Sequence, residues 1–314
     1  MLGDRPDRTG NEATGYAPLP VAGAASRAPG YADEDRRPRM AFFTDTTVCI
    51  GCKACEVACK EWNDVPETKW DFTGHSYDNT GHLSADAWRH VAFIEQPARL
   101  RGAEQIAHTA AIEHHAQDLV ADGFRWLMMS DVCKHCTTAG CLDNCPTGAL
   151  FKTEFDSVVV QPDICNGCGY CVVGCPYGVI SRRETDGKAW KCTMCYDRLR
   201  TGDQPACSKV CPTDSISFGS LDAMREMAET RLAQVTAMGF AGAHVYGDGE
   251  DDAAGVDGTG ALFLLLDEPE VYGLPPDPVV ATKHLKSEWL SALGAAAALA
   301  LTVASAVAGG ARRR

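Results

Sequence analysis

The sequence has few positive charges for its length. Its 314 residues include 29 Lys and Arg against 42 Asp and Glu, which gives a formal net charge of −13 at pH 7. A protein that binds nucleic acid needs a basic patch to neutralise phosphates, and the sequence shows no such patch. The excess of acidic over basic residues argues against nucleic acid as a partner. We interpret this excess as a solvated acidic surface.

Motifs of organic catalysis are also missing. The sequence has no Gly-rich dinucleotide fingerprint after a strand, no nucleophile elbow and no prominent pair of carboxylates. Residues 247–249 (GDG) lie in an acidic, Gly-rich stretch that we interpret as a linker. No catalytic residue is predicted, so any substrate chemistry would have to occur on another polypeptide.

The sequence also lacks an apolar run near its N-terminus. Residues 1–40 are rich in Gly, Pro, Ala, Arg and Asp and contain no apolar stretch. This composition predicts a flexible leader over 1–40 rather than a cleaved signal peptide.

Cysteine, in contrast, is abundant, with sixteen residues in four tight groups. The groups are Cys49, Cys52, Cys55 and Cys59; Cys133, Cys136, Cys141 and Cys145; Cys165, Cys168, Cys171 and Cys175; and Cys192, Cys195, Cys207 and Cys211. Disulfides stabilise most when they close long loops, so such close spacing favours metal binding over a disulfide scaffold.

The spacing within the groups indicates iron–sulfur clusters. In two-cluster ferredoxins, three cysteines of a C-x2-C-x2-C run bind one cubane, and the fourth cysteine, often followed by Pro, binds the other. Pro146, Pro176 and Pro212 follow the last cysteine of three groups. Sixteen thiolates therefore predict four [4Fe–4S] clusters that pass electrons one at a time.

The exchange of last cysteines predicts four ligand sets. Groups two and three are joined by a predicted β-hairpin over 149–161, so they are expected to exchange their last cysteines, which leaves groups one and four to pair with each other. Ligand set 1 is Cys49, Cys52, Cys55 and Cys211; set 2 is Cys59, Cys192, Cys195 and Cys207; set 3 is Cys133, Cys136, Cys141 and Cys175; and set 4 is Cys145, Cys165, Cys168 and Cys171. In the alternative pairing, group one exchanges its last cysteine with group two, and group three exchanges with group four.

Zinc is the alternative from another class, because four thiolates also bind zinc, usually as two separated C-x2-C pairs. A zinc-binding structural module would have no redox role. His135, beside Cys136, is predicted to be a surface or neighbouring residue rather than a ligand, because each group already has four thiolates. Five cations near the cysteines are expected either to stabilise reduced clusters or to be ordinary surface charges. They are Lys53, Lys60, Lys134, Lys191 and Arg198.

The predicted fold class is α+β. Residues 41–280 are expected to form two pseudo-symmetric, two-cluster ferredoxin-like units with a long insertion over 60–132. A helix is predicted over 221–238, and a buried strand over 261–266. The shared helix face is expected to carry Leu221, Met224, Met227, Leu232 and Val235.

The C-terminal tail, 281–314, contains the uncharged segment 290–309. Its twenty residues are long enough to span a bilayer, but nine are Ala. A transmembrane helix is predicted, and the alternative is a helix packed on the body or on a partner. If the helix spans, the three terminal arginines favour the cytoplasmic side, which places the cluster domain outside in a single-pass protein of the cell membrane.

Several stretches resemble the iron–sulfur (β) subunit of membrane-bound formate dehydrogenase. They are residues 43–45 (FTD), 49–63 (CIGCKACEVACKEWN), 76–81 (SYDNTG), 88–93 (WRHVAF) and 264–275 (LLLDEPEVYGLP). The resemblance covers about residues 41–280. It implies the same exchange of ligands and a single C-terminal membrane helix. Related nitrate reductase subunits replace one cysteine with Trp, whereas all sixteen are present here.

The resemblance also implies partners. A molybdenum or tungsten bis-pterin subunit would oxidise formate, and electrons would leave toward a membrane cytochrome b-type or other quinone-reducing subunit. The chain itself would be a non-catalytic electron-transfer subunit of the oxidoreductase complex. The alternative keeps this role but places it in a hydrogenase or a polysulfide, sulfoxide or nitrite reductase complex.

Overall fold

The computed structural model describes residues 37–68, 74, 77–96, 99–100, 120–122, 125–249 and 254–311. Most of the predicted leader, much of the 60–132 insertion and the three terminal arginines lie outside the described residues. The described chain mixes helices and strands, which confirms the predicted α+β content.

The strands lie on either side of the cysteine groups and within the insertion. They are β1 (Met40–Asp45), β2 (Arg89–Gln96), β3 (Arg99–Leu100), β4 (Val120–Asp122), β5 (Arg125–Val132), β6 (Leu150–Lys152), β7 (Val158–Val160), β8 (Ser181–Arg182), β9 (Ala189–Trp190), β10 (Ile216–Ser220), β11 (His244–Tyr246) and β12 (Ala261–Leu265). The helices are α1 (Ala54–Asn63), α2 (Gly140–Asp143), α3 (Tyr170–Val173), α4 (Tyr196–Arg200), α5 (Ala206–Lys209), α6 (Leu221–Ala237) and α7 (Leu285–Ala311), with short 3-10 turns at Ala254–Val256 and Pro269–Tyr272.

A four-stranded sheet in the order β10-β1-β12-β11 joins the two ends of the cysteine-rich region. Strand β1 is antiparallel to β10 and parallel to β12. Side chains alternate between the two faces of a strand. Accordingly, Phe43 and Leu262 pack with α6, while Phe42 and Phe263 pack in the core that contains buried cysteines. Both faces are covered, which explains why all of β12 is buried and confirms the predicted strand to within one residue.

Helix α6 confirms the helix predicted over 221–238. The Ser220 hydroxyl caps its N-terminus by accepting a hydrogen bond from the backbone N–H of Ala223 at 3.3 Å. Met224 and Val235 are buried against the sheet, as predicted. Met227 is 43% exposed, so the prediction that it shares a face with Met224 and Val235 was wrong. The buried stripe continues from Met224 to Ala228, four residues on, because a helix makes one turn in 3.6 residues.

Two-stranded elements connect the cysteine groups. Strands β6 and β7 pair antiparallel between groups two and three, which confirms the predicted hairpin. Strands β8 and β9 form a second antiparallel pair between groups three and four. The longer ladder of β2 and β5 belongs to the insertion and packs its Val91 and Met129 into the core beside Cys55 and Cys59. The insertion thus contributes directly to the walls around the cysteines.

Helix α7 extends from the body at the C-terminal end. Its segment Ser287–Ser305 is long and apolar enough to cross a membrane, and none of it is buried. The preceding residues are attached to the body, because the Thr282 hydroxyl donates to an Asp143 carboxylate oxygen at 2.7 Å and Lys283 lies 3.3 Å from Asp257. The base of the tail therefore lies next to α2, which carries Cys141.

Candidate iron–sulfur centres

All sixteen cysteines lie within the described residues, and all are free thiols. A disulfide scaffold is thereby excluded in this structure. Free thiols in groups of four are the donors that [4Fe–4S] clusters require, because each iron atom of the cubane takes one thiolate.

Each cysteine group begins with the same backbone feature. The residue before the second cysteine has a left-handed conformation, and these residues are Gly51 (φ 64°), His135 (φ 43°), Gly167 (φ 73°) and Met194 (φ 59°). Such a residue cannot continue a helix, so the chain between the first two cysteines forms a loop. A Cβ on Gly51 would lie 2.6 Å from the Phe93 ring, and one on Gly167 would lie 2.5 Å from the carbonyl oxygen of Gly187. Glycine is required at both positions.

Ligand set 1 lies at an exposed edge of the domain. Cys49, Cys52, Cys55 and Cys211 line one cavity together. Burial raises the pKa of Cys49, and the negative charges of Cys211 and Cys52 raise it further. The Sγ atom of Cys55 lies 3.1 Å from the Ser130 hydroxyl. The structure thus brings the last cysteine of group four to the first three of group one.

Ligand set 2 is completely buried. Burial raises the pKa of Cys59 well above its usual range, and the charges of Cys192, Cys207 and Cys195 add to this. The Asn63 amide Nδ2 lies 3.7 Å from the Sγ atoms of both Cys59 and Cys195. An amide in this position donates weak hydrogen bonds to two thiols at once.

The cysteines of the predicted ligand set 3 lie near the contact between α2 and α3. A Cβ on Gly140 would collide with the carbonyl oxygen of Gly174, so the two helices approach through glycine backbone. Burial raises the pKa of Cys136 well above its usual range, followed by the charges of Cys133, Cys141 and Cys175. The close helix contact is what carries Cys175 to the thiols of group two.

Ligand set 4 is open to solvent on one side, with Cys171 buried and Cys168 exposed. Burial raises the pKa of Cys171 to about 11, with further contributions from Cys165, Cys145 and Cys168. Desolvation raises the pKa of Cys145, but hydrogen bonds from the Thr147 hydroxyl and from the backbone of Leu150, Thr147 and Ala149 together outweigh it, so the pKa is lowered. The backbone N–H of Ala189 lies 3.5 Å from Cys165 Sγ.

Three of the cations near the cysteines are buried. Lys134 is 1% exposed, Lys191 is 2% exposed and Arg198 is 5% exposed, so the alternative of ordinary surface charges was wrong for them. Lys134 forms an ion pair with Asp131, and Arg198 forms one with Asp203. Lys191 donates to the carbonyl oxygens of Val158 and Cys192. Its pKa is raised, because the negative charges of Cys133, Cys141 and Cys192 outweigh the opposing effect of burial.

The other two cations are partly exposed and bonded to neighbouring residues. Lys53 lies 3.3 Å from Glu56 and 3.4 Å from Asp78. Lys60 Nζ donates to the carbonyl oxygens of Pro66 and Asp86 at 2.7 and 2.6 Å. Both side chains therefore brace the loop after α1.

His135 is buried, which excludes the predicted surface position and leaves the predicted alternative, a residue that neighbours the cysteines. Its Nδ1 accepts a hydrogen bond from the backbone N–H of Val158 at 3.1 Å. Burial lowers the pKa of His135 well below its usual range, and the charges of Lys191, Arg39 and Lys152 lower it further. The imidazole therefore stays neutral and ties group two to the hairpin strand β7.

Sequence reasoning missed Arg89, the first residue of β2. It is 2% exposed and lies among Cys207, Cys55, Cys192 and Cys59, whose charges raise its pKa against the opposing effect of burial. Arg89 is separated from the nearest cysteine in sequence by 29 intervening positions. No motif of the cysteine groups contains it, and only the folded insertion brings it to them.

The donor set suits a multi-iron cluster. No three His, Cys, Asp or Glu side chains of the described residues are arranged to hold one metal ion. A cubane does not require several donors around one metal ion, because each of its four thiolates bonds a different iron atom. When bound, each cluster supplies a one-electron carrier, and the residues above set its surroundings.

Comparisons with known proteins agree with this chemistry. Two profiles, each described as a 4Fe-4S dicluster domain, match residues 48–149 and 124–221. Two dicluster domains account for four [4Fe–4S] clusters, in agreement with sixteen cysteines.

Curated relatives cover most of the chain. The formate dehydrogenase-O iron–sulfur subunit of Escherichia coli K12 is 37% identical over 86% of this chain and 83% of its own length. The nitrate-inducible formate dehydrogenase iron–sulfur subunit of the same organism is 38% identical over 82% of this chain and 79% of its own. The B subunit of the E. coli anaerobic dimethyl sulfoxide reductase is 32% identical over 59% of this chain and 75% of its own. With its sixteen free thiols and two dicluster domains, the chain is an electron-transfer protein of the family of formate dehydrogenase iron–sulfur subunits.

Proposed function

We propose that this chain is the electron wire of a formate-oxidising complex. Electrons would enter from a molybdenum or tungsten pterin subunit and leave toward a membrane quinone-reducing subunit. The relatives named as formate dehydrogenase subunits support the substrate, since they match over most of both chains. Most substrate oxidations release two electrons, and a series of one-electron carriers delivers them singly to a distant acceptor.

We further propose the ligand sets as predicted from the sequence. The contact between α1 and α5 supports sets 1 and 2, because these helices carry cysteines of groups one and four. The contact between α2 and α3 supports sets 3 and 4 in the same way. The alternative pairing would require Cys59 to lie among thiols of group two, whereas the thiols acting on it come from group four.

The order of the wire follows from the thiols that interact across the sets. Cys55 of set 1 interacts with Cys207 of set 2. Cys192 of set 2 interacts with Cys133 of set 3. Cys141 of set 3 interacts with Cys171 of set 4. This chain of neighbours is the observation that carries the proposal, and it supports the order 1-2-3-4 with exposed cysteines at both ends, Cys52 and Cys168.

For the architecture, we propose that residues 41–280 form one domain of two pseudo-symmetric units. The unit of groups one and four is built around α1 and α5, and the unit of groups two and three around α2 and α3. We propose that α7 spans the cell membrane once, with the cluster domain on the extracytoplasmic side. The bonds from Thr282 and Lys283 at the base of the tail favour the second unit as the one nearer the membrane.

Copurification in mild detergent under anaerobic conditions tests the function. About sixteen iron atoms per chain are expected from four cubanes, together with a molybdenum or tungsten subunit. Formate should reduce the clusters, as followed by electron paramagnetic resonance (EPR). Stoichiometric zinc without iron would contradict the wire.

A second candidate is the same role in a sulfoxide reductase complex, favoured by the match to the dimethyl sulfoxide reductase subunit. Clusters that are oxidised by dimethyl sulfoxide but never reduced by formate would favour this candidate. The ligand sets would be unaffected by that outcome.

A further inference from the structure

Arg89 is a buried cation without a carboxylate partner among the described residues. Its Nη1 donates to the carbonyl oxygen of Ser130 at 3.4 Å, and its guanidinium carbon lies 5.0 Å from the centre of the Phe42 ring. Its Nε and Nη2 are buried and have no hydrogen-bond partner in the part of the chain that the structure describes. Burying a charge is costly unless the charge is paired, so this site calls for a counter-charge.

Two other buried cations near the cysteines are satisfied differently. Lys134 is paired with Asp131 and Arg198 with Asp203, so their positive charges are already neutralised. The negative charges that act most strongly on Arg89 are those of thiols, and these thiols belong to two ligand sets. Cys55 is in set 1, whereas Cys59, Cys192 and Cys207 are in set 2.

The guanidinium is also connected to set 1 through Ser130. The carbonyl oxygen of Ser130 accepts from Arg89, and the hydroxyl of the same residue lies 3.1 Å from Cys55 Sγ. Arg89 pairs with Val132 at the end of the ladder formed by β2 and β5, so its backbone position is set by that ladder. The charge is therefore held in a fixed place between the two sets.

We propose that Arg89 is a positioning residue whose charge is shared by the clusters of sets 1 and 2 and raises the reduction potentials of both. This proposal rests on the proposed ligand sets. Reduction adds one electron, and hence one negative charge, to a cluster. A guanidinium does not lose its proton in proteins, so the added charge is balanced without proton transfer. Sets 3 and 4 lack this residue, so their clusters gain nothing from it.

The test is an EPR redox titration of the purified complex carrying Arg89→Gln, which removes the charge and keeps a polar side chain. We expect the reduction equilibrium of two of the four clusters to become less favourable by about tenfold each, which corresponds to about 59 mV for one electron. Arg89→Lys should retain most of the wild-type potential, because it keeps the charge.

Lys209→Gln is the matched control. Lys209 follows Cys207 by two residues, but its side chain is 52% exposed and it is paired with Asp203, so its removal should leave all four potentials unchanged. Four unchanged potentials in a fully iron-loaded Arg89→Gln complex would overturn the proposal. A shift in one cluster only would also overturn it.

Iron content separates this proposal from the ligand assignment. Loss of iron from Arg89→Gln but not from Arg89→Lys would support a charge requirement. Loss of iron from both variants would show that Arg89 acts through packing rather than through its charge, and it would overturn the proposal. A failure of the ligand sets themselves would be detected separately, in the iron content of cysteine variants, and does not depend on the potentials of the Arg89 variants.

Discussion

Ligand sets 2 and 4 each consist of four thiols, but the two sets lie in opposite surroundings. All four cysteines of set 2 are buried, whereas set 4 has one buried cysteine and one, Cys168, that is exposed. Set 2 collects thiols from helix α1 and from two segments more than a hundred residues later, while set 4 uses residues 145–171. The difference indicates that set 2 is part of the core, whereas set 4 is a local site at the surface.

Removing one thiol from each set should expose this difference most strongly. Cys168→Ser is expected to lose about four of about sixteen iron atoms and to leave the other clusters in place. Cys59→Ser should lose more iron than this, because all four cysteines of set 2 are buried and a vacant site there should disturb the core around it. Iron analysis and EPR of the anaerobically purified complex measure both. Equal losses would remove the distinction between a core set and a surface set.

The left-handed residue before the second cysteine offers the next test. In set 2 this residue is Met194, which is fully buried, and in set 4 it is Gly167. Met194→Gly would relieve about 1–2 kcal/mol of backbone strain but lose about 2–5 kcal/mol of buried side chain, so we expect lower stability. Gly167→Ala should destabilise set 4 by strain and by collision with the Gly187 carbonyl oxygen.

Thermal unfolding of the iron-loaded complexes measures these effects. Gly187→Ala is the control for Gly167→Ala, because it has a similar φ of 67° and open space around the added Cβ. A Met194→Gly variant more stable than wild type would show that strain, rather than packing, dominates at that position.

Hydrogen bonds to sulfur should shift potentials by smaller amounts. Asn63→Leu removes the amide near Cys59 and Cys195 of set 2, and we expect the potential of that cluster to fall by about 40 mV, equivalent to about 1 kcal/mol. Thr147→Val removes a hydroxyl 3.6 Å from Cys145 in the exposed set 4, where water replaces it. The shift there should be smaller, as EPR redox titration would show. A larger shift in Thr147→Val would reverse the comparison.

The smallest effect concerns the thiols after iron has been removed under reducing conditions. The pKa of Cys145 is lowered and that of Cys59 is raised, so at pH 8 a larger fraction of Cys145 is thiolate. Since the thiolate is the nucleophile, Cys145 should be alkylated several-fold faster than Cys59. The rate at Cys145 should level off at a lower pH. Mass spectrometry of iodoacetamide-treated protein measures both rates, and faster reaction at Cys59 would contradict the expectation.

Short-range features could be predicted from the sequence. The hairpin between groups two and three, helix α6 and strand β12 depend on local periodicity and turns, and all three are confirmed. The cysteine spacing likewise identified the cofactor. Strand β1 was not predicted, because its six residues carry no distinguishing pattern and acquire their role only by pairing with β10 and β12.

Long-range placement could not be predicted in the same way. Arg89 reaches the cysteines through the β2–β5 ladder of the insertion, and the burial of Lys134 and Lys191 depends on elements that pack over them. Local sequence carries no signal for such contacts. The ligand sets are an intermediate case, since known cluster chemistry suggested partners that spacing alone did not identify.

The central position of β1 also has a consequence during synthesis. The Thr46 hydroxyl donates to the carbonyl oxygen of Leu264, which is translated 218 residues later. At about 5–20 residues per second, the first cysteine group leaves the ribosome about 10–40 s before its strand can pair with β12. Cys49 and Cys59 therefore wait as unprotected thiols while the rest of the chain is made, which favours delivery of iron and sulfide to the finished polypeptide.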